Sequence, residues 1–154
     1  MAAAPQCIDC KTEGITTKRK LKIGRGGKPV PGPRCATHHR AKRTTRRNYS
    51  HDRHIGETYG ISSEEYWKIY EAQGGKCAIC QRATGVRKKL SVDHCHKTGV
   101  VRGLLCGSCN RDVLGHLRDD TEALQRAITY LVTPPAVRVI GTRITPDVAA
   151  SLAA

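Results

Sequence analysis

The stretch "SVDHCHKTGVVRGLLCGSCN" (Ser91–Asn110) decides the fold, because it places metal-binding residue types inside a short apolar framework. Its two apolar segments lie on either side of a Lys97–Thr98–Gly99 turn and predict two short strands. From Gly107 onward the pattern favours a helix. The three cysteines, two histidines, aspartate and asparagine pose one question: whether a metal serves folding, chemistry or both.

Two CxxC motifs frame the predicted hairpin. Cys77-Ala-Ile-Cys80 and Cys106-Gly-Ser-Cys109 are separated by 25 residues. Each motif puts two sulfurs on one tight turn, so together they supply the four thiolates that a tetrahedral Zn²⁺ prefers. Because four thiolates leave no open coordination position, this zinc is predicted to be structural. Two disulfides or an iron–sulfur cluster are the alternatives.

A second candidate zinc site lies near the N-terminus and has the spacing of a CCCH zinc finger with a long basic loop. Its ligands would be Cys7, Cys10, Cys35 and His38, with His39 as an alternative to His38. The competing interpretation is an unliganded arm. His51 and His54 are expected to be solvated side chains of a basic segment rather than ligands.

The composition favours one domain of ordinary size or two very small ones. The chain has 154 residues, 38% of them hydrophobic, with no Phe and one Trp. So low an apolar content predicts small cores that need additional cross-links or metal sites.

The charge points to a polyanionic partner. The formal net charge is +14, and residues 1–60 carry 14 Lys/Arg against 4 Asp/Glu. Such a chain is typical of nucleic-acid-binding proteins, with a solvated basic surface or an anionic membrane as alternatives. The N-terminus has no apolar leader, no stretch reaches the roughly 18 apolar residues of a membrane span, and paired CxxC motifs are typical of reduced compartments. A cytosolic protein is therefore expected.

Helices are predicted on both sides of the hairpin. Residues 61–75 carry a capping box of Ser62 with Glu65, a stop at Gly74–Gly75, and an apolar stripe that should face the core. That stripe consists of Tyr66, Ile69 and Tyr70. A last helix at Asp119–Val132, capped by Asp119 or Asp120, should end before Pro134–Pro135. Its apolar face consists of Leu124, Ile128, Leu131 and Val132.

The remaining segments are less strongly patterned. Lys18–Arg34 is rich in Gly, Pro and basic residues and should be a loop or ribbon. His38–His54 is expected to be either a helix with a basic face or a linker that orders on DNA. The C-terminal tail is compatible with a strand, a partner-binding arm or disorder.

Four residues of the opening stretch have no structural assignment once the zinc ligands are taken. Asp93, His94, His96 and Asn110 are of the types that hydrolyse phosphodiesters. A neutral His can take a proton from an attacking water, and a carboxylate with an amide carbonyl suits Mg²⁺ or Mn²⁺. Neighbours on a regular strand face opposite sides, so Asp93 and His94 can converge only where the strand ends or is distorted.

The segments "EAQGGKCAICQR" and "VDHCHKTGVVRGLLCGSCN", with Gly115 nearby, resemble the bacteriophage recombination endonuclease VII family of His-Me finger, or HNH-like, nucleases. The resemblance covers roughly Ser62 to Leu117. It implies a ββα-metal core built around a structural Cys₄ zinc. It also implies that Asp93 and Asn110 bind the catalytic Mg²⁺, that His94 is the general base, and that His96 assists at the phosphate or the metal.

The chain departs from the family pattern at three places. Cys95 stands where the family has a second acidic residue. A downstream acidic residue of the family's site has no clear match, and Asp112 is the nearest candidate. The long C-terminal region that the family uses for dimerisation and for four-way junctions is replaced by one helix. Arg102 is expected either to contact the scissile phosphate or to face solvent.

With the resemblance, the expected fold class is small α+β and zinc-stabilised, with a ββα-metal core, flanking helices and an N-terminal zinc module. The predicted divisions are a basic Cys3His zinc module at 1–48, a linker at 49–60, an endonuclease VII-like nuclease domain at 61–118, a C-terminal helix at 119–133 and a tail at 134–154. The expected cofactors are one or two structural Zn²⁺ and a catalytic Mg²⁺ or Mn²⁺.

The predicted function is metal-dependent cleavage of DNA, branched as at a Holliday junction, during phage recombination, replication or packaging. A homodimer acting in the host cytoplasm is expected, because resolving a symmetric junction needs two cuts. The alternatives are an HNH-type nicking enzyme without junction specificity and a non-catalytic zinc-dependent DNA-binding protein. A structural or packaging-associated protein is a further alternative.

Overall fold

The computed structural model describes residues 6–30 and 32–152, and within them the chain is small and α+β, as predicted. Residues 1–5 and 31, and the last two residues of the predicted tail, lie outside the described residues. The chain divides into two compact units, with the boundary between Trp67 and Lys68. The elements are α1 (Ile8–Thr12), α2 (Ala36–Tyr59), α3 (Ser63–Ala72), β1 (Ser91–His94), β2 (Val101–Leu105), a π-helical segment (Cys109–Gly115), α4 (Thr121–Val132), α5 (Pro135–Ile140) and α6 (Pro146–Leu152).

The predicted hairpin is present. β1 and β2 pair antiparallel, with Val92 opposite Leu104 and Asp93 opposite Gly103. The turn is closed by the backbone N–H of Cys95, which donates to the Val100 carbonyl at 2.8 Å. Val92 and Leu104 are both buried, so one part of the hairpin forms the core of the second unit.

The side chain of Gln73 acts as an additional partner for β2. Its Oε1 accepts from the Leu104 N–H at 2.7 Å, and its Nε2 donates to the Leu104 carbonyl at 2.9 Å. Two features of the structure at Gly103 exclude a side chain there. The φ of +155° is strained for other residues, and an added Cβ would lie 2.8 Å from Gln73 Oε1. Gln73 therefore binds β2 at the place where Gly103 has no side chain.

The first unit is built around the three N-terminal cysteines. Cys7, Cys10 and Cys35 are fully buried, and Ile15 and Leu21 pack against them. The basic segment between the cysteines forms the predicted ribbon, with isolated bridges from Leu21 to Cys35 and from Ile23 to Pro29.

α2 is one continuous helix of 24 residues that ends at Gly60 in a left-handed conformation. Residues 49–60, predicted as a linker, therefore belong to this helix as far as Tyr59. His51, which was expected to be solvated, is half-buried, with its ring edge against Tyr66 at a centroid distance of 4.8 Å. That half-burial follows from its place on the same side of the helix as the buried Ile55.

The helix caps predicted from the sequence are confirmed. Ser62 Oγ accepts from the Glu65 N–H at 3.1 Å while Glu65 accepts from the Ser62 N–H at 2.7 Å, so the capping box of α3 is complete. Asp120, rather than Asp119, caps α4 by accepting from the N–H groups of Glu122 and Ala123. The tail forms the short helices α5 and α6 rather than a strand. Within the described residues, no helix has the length and apolarity needed to cross a membrane.

Candidate metal centres and candidate active site

The N-terminal ligand set converges. The donor atoms of Cys7, Cys10, Cys35 and His38 all lie within 4.8 Å of one another. His38 Nδ1 lies 3.3 Å from the sulfurs of both Cys7 and Cys10. Its Nε2 lies 2.9 Å from Glu13, and because a carboxylate only accepts, Nε2 carries the proton and leaves the Nδ1 lone pair for a metal. His38, and not His39, is thus the histidine of a cluster that could bind zinc.

The Cys₄ set converges in the same way. The sulfurs of Cys77, Cys80, Cys106 and Cys109 lie within 4.8 Å of one another. The Cys80 and Cys106 sulfurs are 3.9 Å apart, which is too far for a disulfide of about 2.05 Å but close to the roughly 3.8 Å that separates sulfurs around a tetrahedral zinc. All eight cysteines are free thiols. The geometry fits zinc and excludes the disulfide alternative in this structure.

The thiols of each cluster differ in acidity. Burial raises the pKa of Cys7, but hydrogen bonds, chiefly from the backbone of Cys10 and Cys35, outweigh it and lower that pKa to about 6. Backbone N–H groups of Ala83 and Arg82 lower the pKa of Cys80 to about 6 as well. Burial first, and then the sulfur neighbours, raise the pKa of one other thiol in each cluster to about 12; these thiols are Cys10 and Cys109. Each cluster therefore offers an ionised thiol at neutral pH, and a metal would release protons from the others.

Strand β1 is distorted between Asp93 and His94, where a regular strand would turn these two side chains to opposite sides. The β1–β2 register shifts between Asp93 and His94, and β1 ends at His94. The alternation of a regular strand does not hold at such an irregularity. Asp93 and His94 are therefore not held to opposite sides by strand geometry.

Asp93 is the centre of a chain of charged contacts. Its side chain is 6% exposed and accepts from Arg102 Nε at 2.7 Å and from Nη2 at 2.9 Å. The same Nη2 donates to Asp119 at 3.1 Å, and the other oxygen of Asp119 lies 3.3 Å from His96 Nδ1. Asp93, Arg102, Asp119 and His96, named here the acid–arginine chain, thus form one connected group.

Arg102 does not simply face solvent, which is one of the two environments expected from the sequence, and contact with a scissile phosphate stays a prediction. It is one-third exposed, but its guanidinium is engaged by two carboxylates instead of facing solvent alone. Its pKa is raised by the hydrogen bonds to Asp93 and then to Asp119. Hydrogen bonds from Arg102 and then from His96 lower the pKa of Asp119. Arg102 and Asp119 therefore favour each other's charged form.

Asp119 is the partner of Arg102 and His96 that the sequence did not reveal. Asp112, the acidic candidate from the sequence, is exposed and pairs with its neighbour Arg111 at 2.7 Å. Asp119 follows Arg118, and both adopt positive φ, at +59° and +52°. Such conformations are uncommon outside glycine and are retained where a side chain must be presented. A signal was available, because a helix needs one N-cap and Asp120 supplies it, which leaves the adjacent aspartate for another task.

Two cavities meet at the acid–arginine chain. An open cleft of about 670 Å³ is lined by His96, Arg102 and Asp119, among others. A smaller cavity of about 240 Å³, which is also open to solvent, is lined by Asp93, Arg102 and Asp119, together with apolar side chains. Arg102 and Asp119 line both cavities, whereas Asp93 lines the smaller one of the two.

The other predicted site residues lie beside this group. The ring of His94 contacts that of His96, with centroids 4.8 Å apart. Asn110 is half-buried in the π-helical segment, directly after Cys109. It is not a member of the acid–arginine chain, and neither His94 nor Asn110 lines the two cavities. The structure joins Asp93 to His96 through Arg102 and Asp119, and His96 to His94, while the Asn110 N–H donates to the carbonyl of the cluster residue Cys106.

Cys95 belongs to neither cluster. It is half-buried at the hairpin turn and lines the open cleft. A side-chain hydrogen bond from Thr98 lowers the pKa of its thiol, and backbone N–H groups of Thr98 and Lys97 add to that effect.

Fold and site together define a small α+β protein with two Cys/His clusters that could bind zinc and a hairpin carrying a buried aspartate beside paired histidines. The sequence profile described as recombination endonuclease VII matches residues 52–133, slightly more than half of the chain. A gene 59 protein of Mycobacterium phage D29 is 58% identical over 140 residues, which cover 91% of this chain and 81% of that protein. A gene 59 protein of Mycobacterium phage L5 is 56% identical over the same shares. The chain belongs to the recombination endonuclease VII family.

Proposed function

We propose that this protein is a metal-dependent endodeoxyribonuclease that hydrolyses phosphodiester bonds in branched DNA, as a Holliday-junction resolvase does. Family membership supports a nuclease and implies DNA as the partner. The observation that carries the proposal is the distorted end of β1. There a buried carboxylate, Asp93, adjoins His94, and a Cys₄ cluster flanks the hairpin.

In the proposed mechanism, His94 takes the proton from the attacking water. A neutral imidazole is suited to this near neutral pH. His96 would assist at the phosphate. Its Nδ1 must carry a proton in the contact with Asp119, which leaves Nε2 as an acceptor in the neutral ring. The products would be 5′-phosphate and 3′-hydroxyl ends, as in the family.

Asp93 and Asn110 are the proposed ligands of a catalytic Mg²⁺ or Mn²⁺. Their carboxylate and amide oxygens are the hard donors that these ions prefer. The two oxygens of Asp93 have about four lone-pair positions, of which Arg102 uses two, so donor capacity remains. A bound ion would stabilise charge on the phosphate and on the leaving oxygen. In this proposal β1, β2 and the helical segment after Cys109 are the ββα-metal core.

The first two-thirds of α2 is the proposed contact to the DNA backbone. Residues 36–51 contain five Lys/Arg and no Asp/Glu. Arg43, Arg46 and Arg47 are exposed and, at spacings of three and four, share one side of the helix. Such side chains neutralise phosphates without reading sequence. This region precedes the part of the chain that matches the family, so it adds a contact surface to the nuclease core.

A homodimer in the host cytoplasm is the proposed working state, since two symmetric cuts need two active sites. α4 has no buried residue, and its apolar side chains Ile128, Leu131 and Val132 are more than half exposed. They supply apolar surface of the kind that a second copy can cover. A nicking enzyme without junction preference is the alternative.

Cleavage assays test the proposal directly. Wild type, His94→Ala and the exposed control His116→Ala are incubated with linear and four-way-branched DNA, with Mg²⁺ and without it. We expect His94→Ala to lose about 10²- to 10⁴-fold in rate, because it removes a general base, and His116→Ala to match wild type. Cleavage by none of the proteins with any divalent ion would reject the enzyme and leave a zinc-dependent DNA-binding protein. Equal rates for wild type and His94→Ala would reject His94 as the base, and equal cleavage of both DNAs would favour the nicking alternative.

A further inference from the structure

We propose that Arg102 is a positioning residue that controls access of the divalent cation to Asp93, and that Asp119 holds Arg102 aside when the cation is bound. The inference rests on the proposed function, in which Asp93 is a metal ligand. It assigns a role to Arg102, which the proposed chemistry does not use, and gives Asp119 a role beyond its contact with His96.

The first step is the competition for Asp93. Arg102 binds both oxygens of this carboxylate, at 2.7 and 2.9 Å, and the carboxylate is nearly buried. A divalent cation on the remaining lone pairs would lie within a few ångströms of the guanidinium. Since two cations on one buried carboxylate repel each other strongly, the bidentate contact must loosen as the metal enters.

The second step is the alternative partner. Arg102 Nη2 already contacts Asp119 at 3.1 Å, so the guanidinium can shift toward Asp119 without losing an anionic neighbour. Asp119 is presented from two successive residues with positive φ, a conformation that needs support from the surrounding structure. Arg102 and Asp119 also line both the open cleft and the smaller cavity that reaches Asp93. The ion pair thus lines both cavities and lies beside the carboxylate of Asp93.

The third step is the charge. Asp93, Asp119 and Arg102 together carry −1, which opposes a phosphodiester. A divalent cation turns this to +1 and attracts it. The arrangement therefore favours metal binding before DNA binding.

Mn²⁺ titrations of the zinc-loaded full chain test the control by Arg102. Affinity is measured by calorimetry, and the Mn²⁺-induced rise in Tm is recorded as a second readout. We expect Arg102→Gln to bind Mn²⁺ about tenfold more tightly than wild type, because the competitor is gone, and Asp119→Asn to bind several-fold more weakly. Arg53→Gln and Glu57→Gln make the same charge changes at an exposed pair in the first unit and should leave the affinity unchanged.

A lysine at position 102 separates the bidentate contact from simple charge. Arg102→Lys keeps the charge but not the two parallel hydrogen bonds, so it should bind Mn²⁺ about threefold more tightly than wild type. It also preserves a cation beside the buried Asp93 if Arg102→Gln does not fold. Equal affinity of Arg102→Lys and wild type would overturn the inference, as would a change of the same sign in Arg102→Gln and Asp119→Asn. Asp93→Asn should abolish Mn²⁺ binding. Wild-type binding by that variant would instead reject Asp93 as the metal ligand, which is a failure of the proposed function.

Discussion

The two Cys/His clusters have similar ligand sets but lie beside different structural elements. The N-terminal cluster takes its fourth ligand, His38, from the first turn of α2 and so stands at the start of a long basic helix. The Cys₄ cluster takes its ligands from both sides of the β1–β2 hairpin in sequence. The matched family region includes the Cys₄ cluster and begins after the N-terminal one. The elements next to each cluster therefore decide which part of the protein a metal would position: the proposed DNA-contacting helix in one unit and the candidate catalytic hairpin in the other.

The clusters also replace hydrophobic cores. Of the eleven buried hydrophobic side chains among the described residues, five are cysteines of the two clusters. With so few apolar side chains to bury, neither unit can gain much stability from packing alone. Loss of a metal should consequently affect each unit severely, while the functional consequence should differ between them.

The largest effect is expected for Cys106→Ser. A structural zinc is worth about 10–16 kcal/mol in zinc-finger peptides, which equals or exceeds the stability of a typical domain. The hairpin should therefore unfold and cleavage should be lost. Zinc analysis should show one ion per chain, and proteolysis should digest the second unit. A Cys106→Ser protein that still cleaves at the wild-type rate would show that the cluster is dispensable.

Cys35→Ser tests the role of the N-terminal cluster. Loss of the N-terminal zinc frees the start of α2, so DNA binding should weaken by tenfold or more at moderate salt. Cleavage at low salt and high enzyme concentration should persist, because the ligands of the Cys₄ cluster are intact. Fluorescence-anisotropy binding and single-turnover cleavage separate the two quantities. Equal loss of cleavage in Cys35→Ser and Cys106→Ser would contradict the division of tasks.

Neutralising charges on α2 tests the proposed DNA contact of this helix without removing a metal. Replacing Arg43, Arg46 and Arg47 by Gln should reduce the slope of log K against log salt by roughly 2.7, at about 0.9 per lost phosphate contact. The matched control is Arg53→Gln, whose side chain pairs with Glu57 at 3.1 Å and should contribute little. An unchanged slope in the triple variant would place the DNA contact elsewhere.

Much of the fold could be predicted from the sequence because its signals are local. The two ligand sets follow from CxxC and CxxH spacing, and the Ser62–Glu65 capping box and the Lys97–Gly99 turn follow from positions within a few residues of each other. Such signals depend on geometry over one helical turn or one hairpin loop.

The rest required distances across the fold. Asp119 lies 26 residues after Asp93, and the contact that joins them runs through Arg102 on the opposite strand. The shift in register after Asp93 depends on how β2 pairs with β1, which alternation alone does not reveal. The roles assigned to His94, His96 and Asn110 stay predictions until the cleavage assays are performed.

The smallest expected effect concerns the β1–β2 hairpin, which is supported by Gln73 as well as by the Cys₄ cluster. The side chain of Gln73 satisfies both the N–H and the carbonyl of Leu104. Gln73→Ala leaves these two groups of a fully buried residue without that partner, and should cost about 1–3 kcal/mol in the free energy of unfolding. Gln81→Ala removes a single contact, to the Ala78 carbonyl on an exposed turn, and should change stability by less than about 0.5 kcal/mol. Denaturant unfolding of both variants with zinc bound measures the difference. If the two cost the same, the Gln73 contacts add nothing to the support that the Cys₄ cluster gives the hairpin.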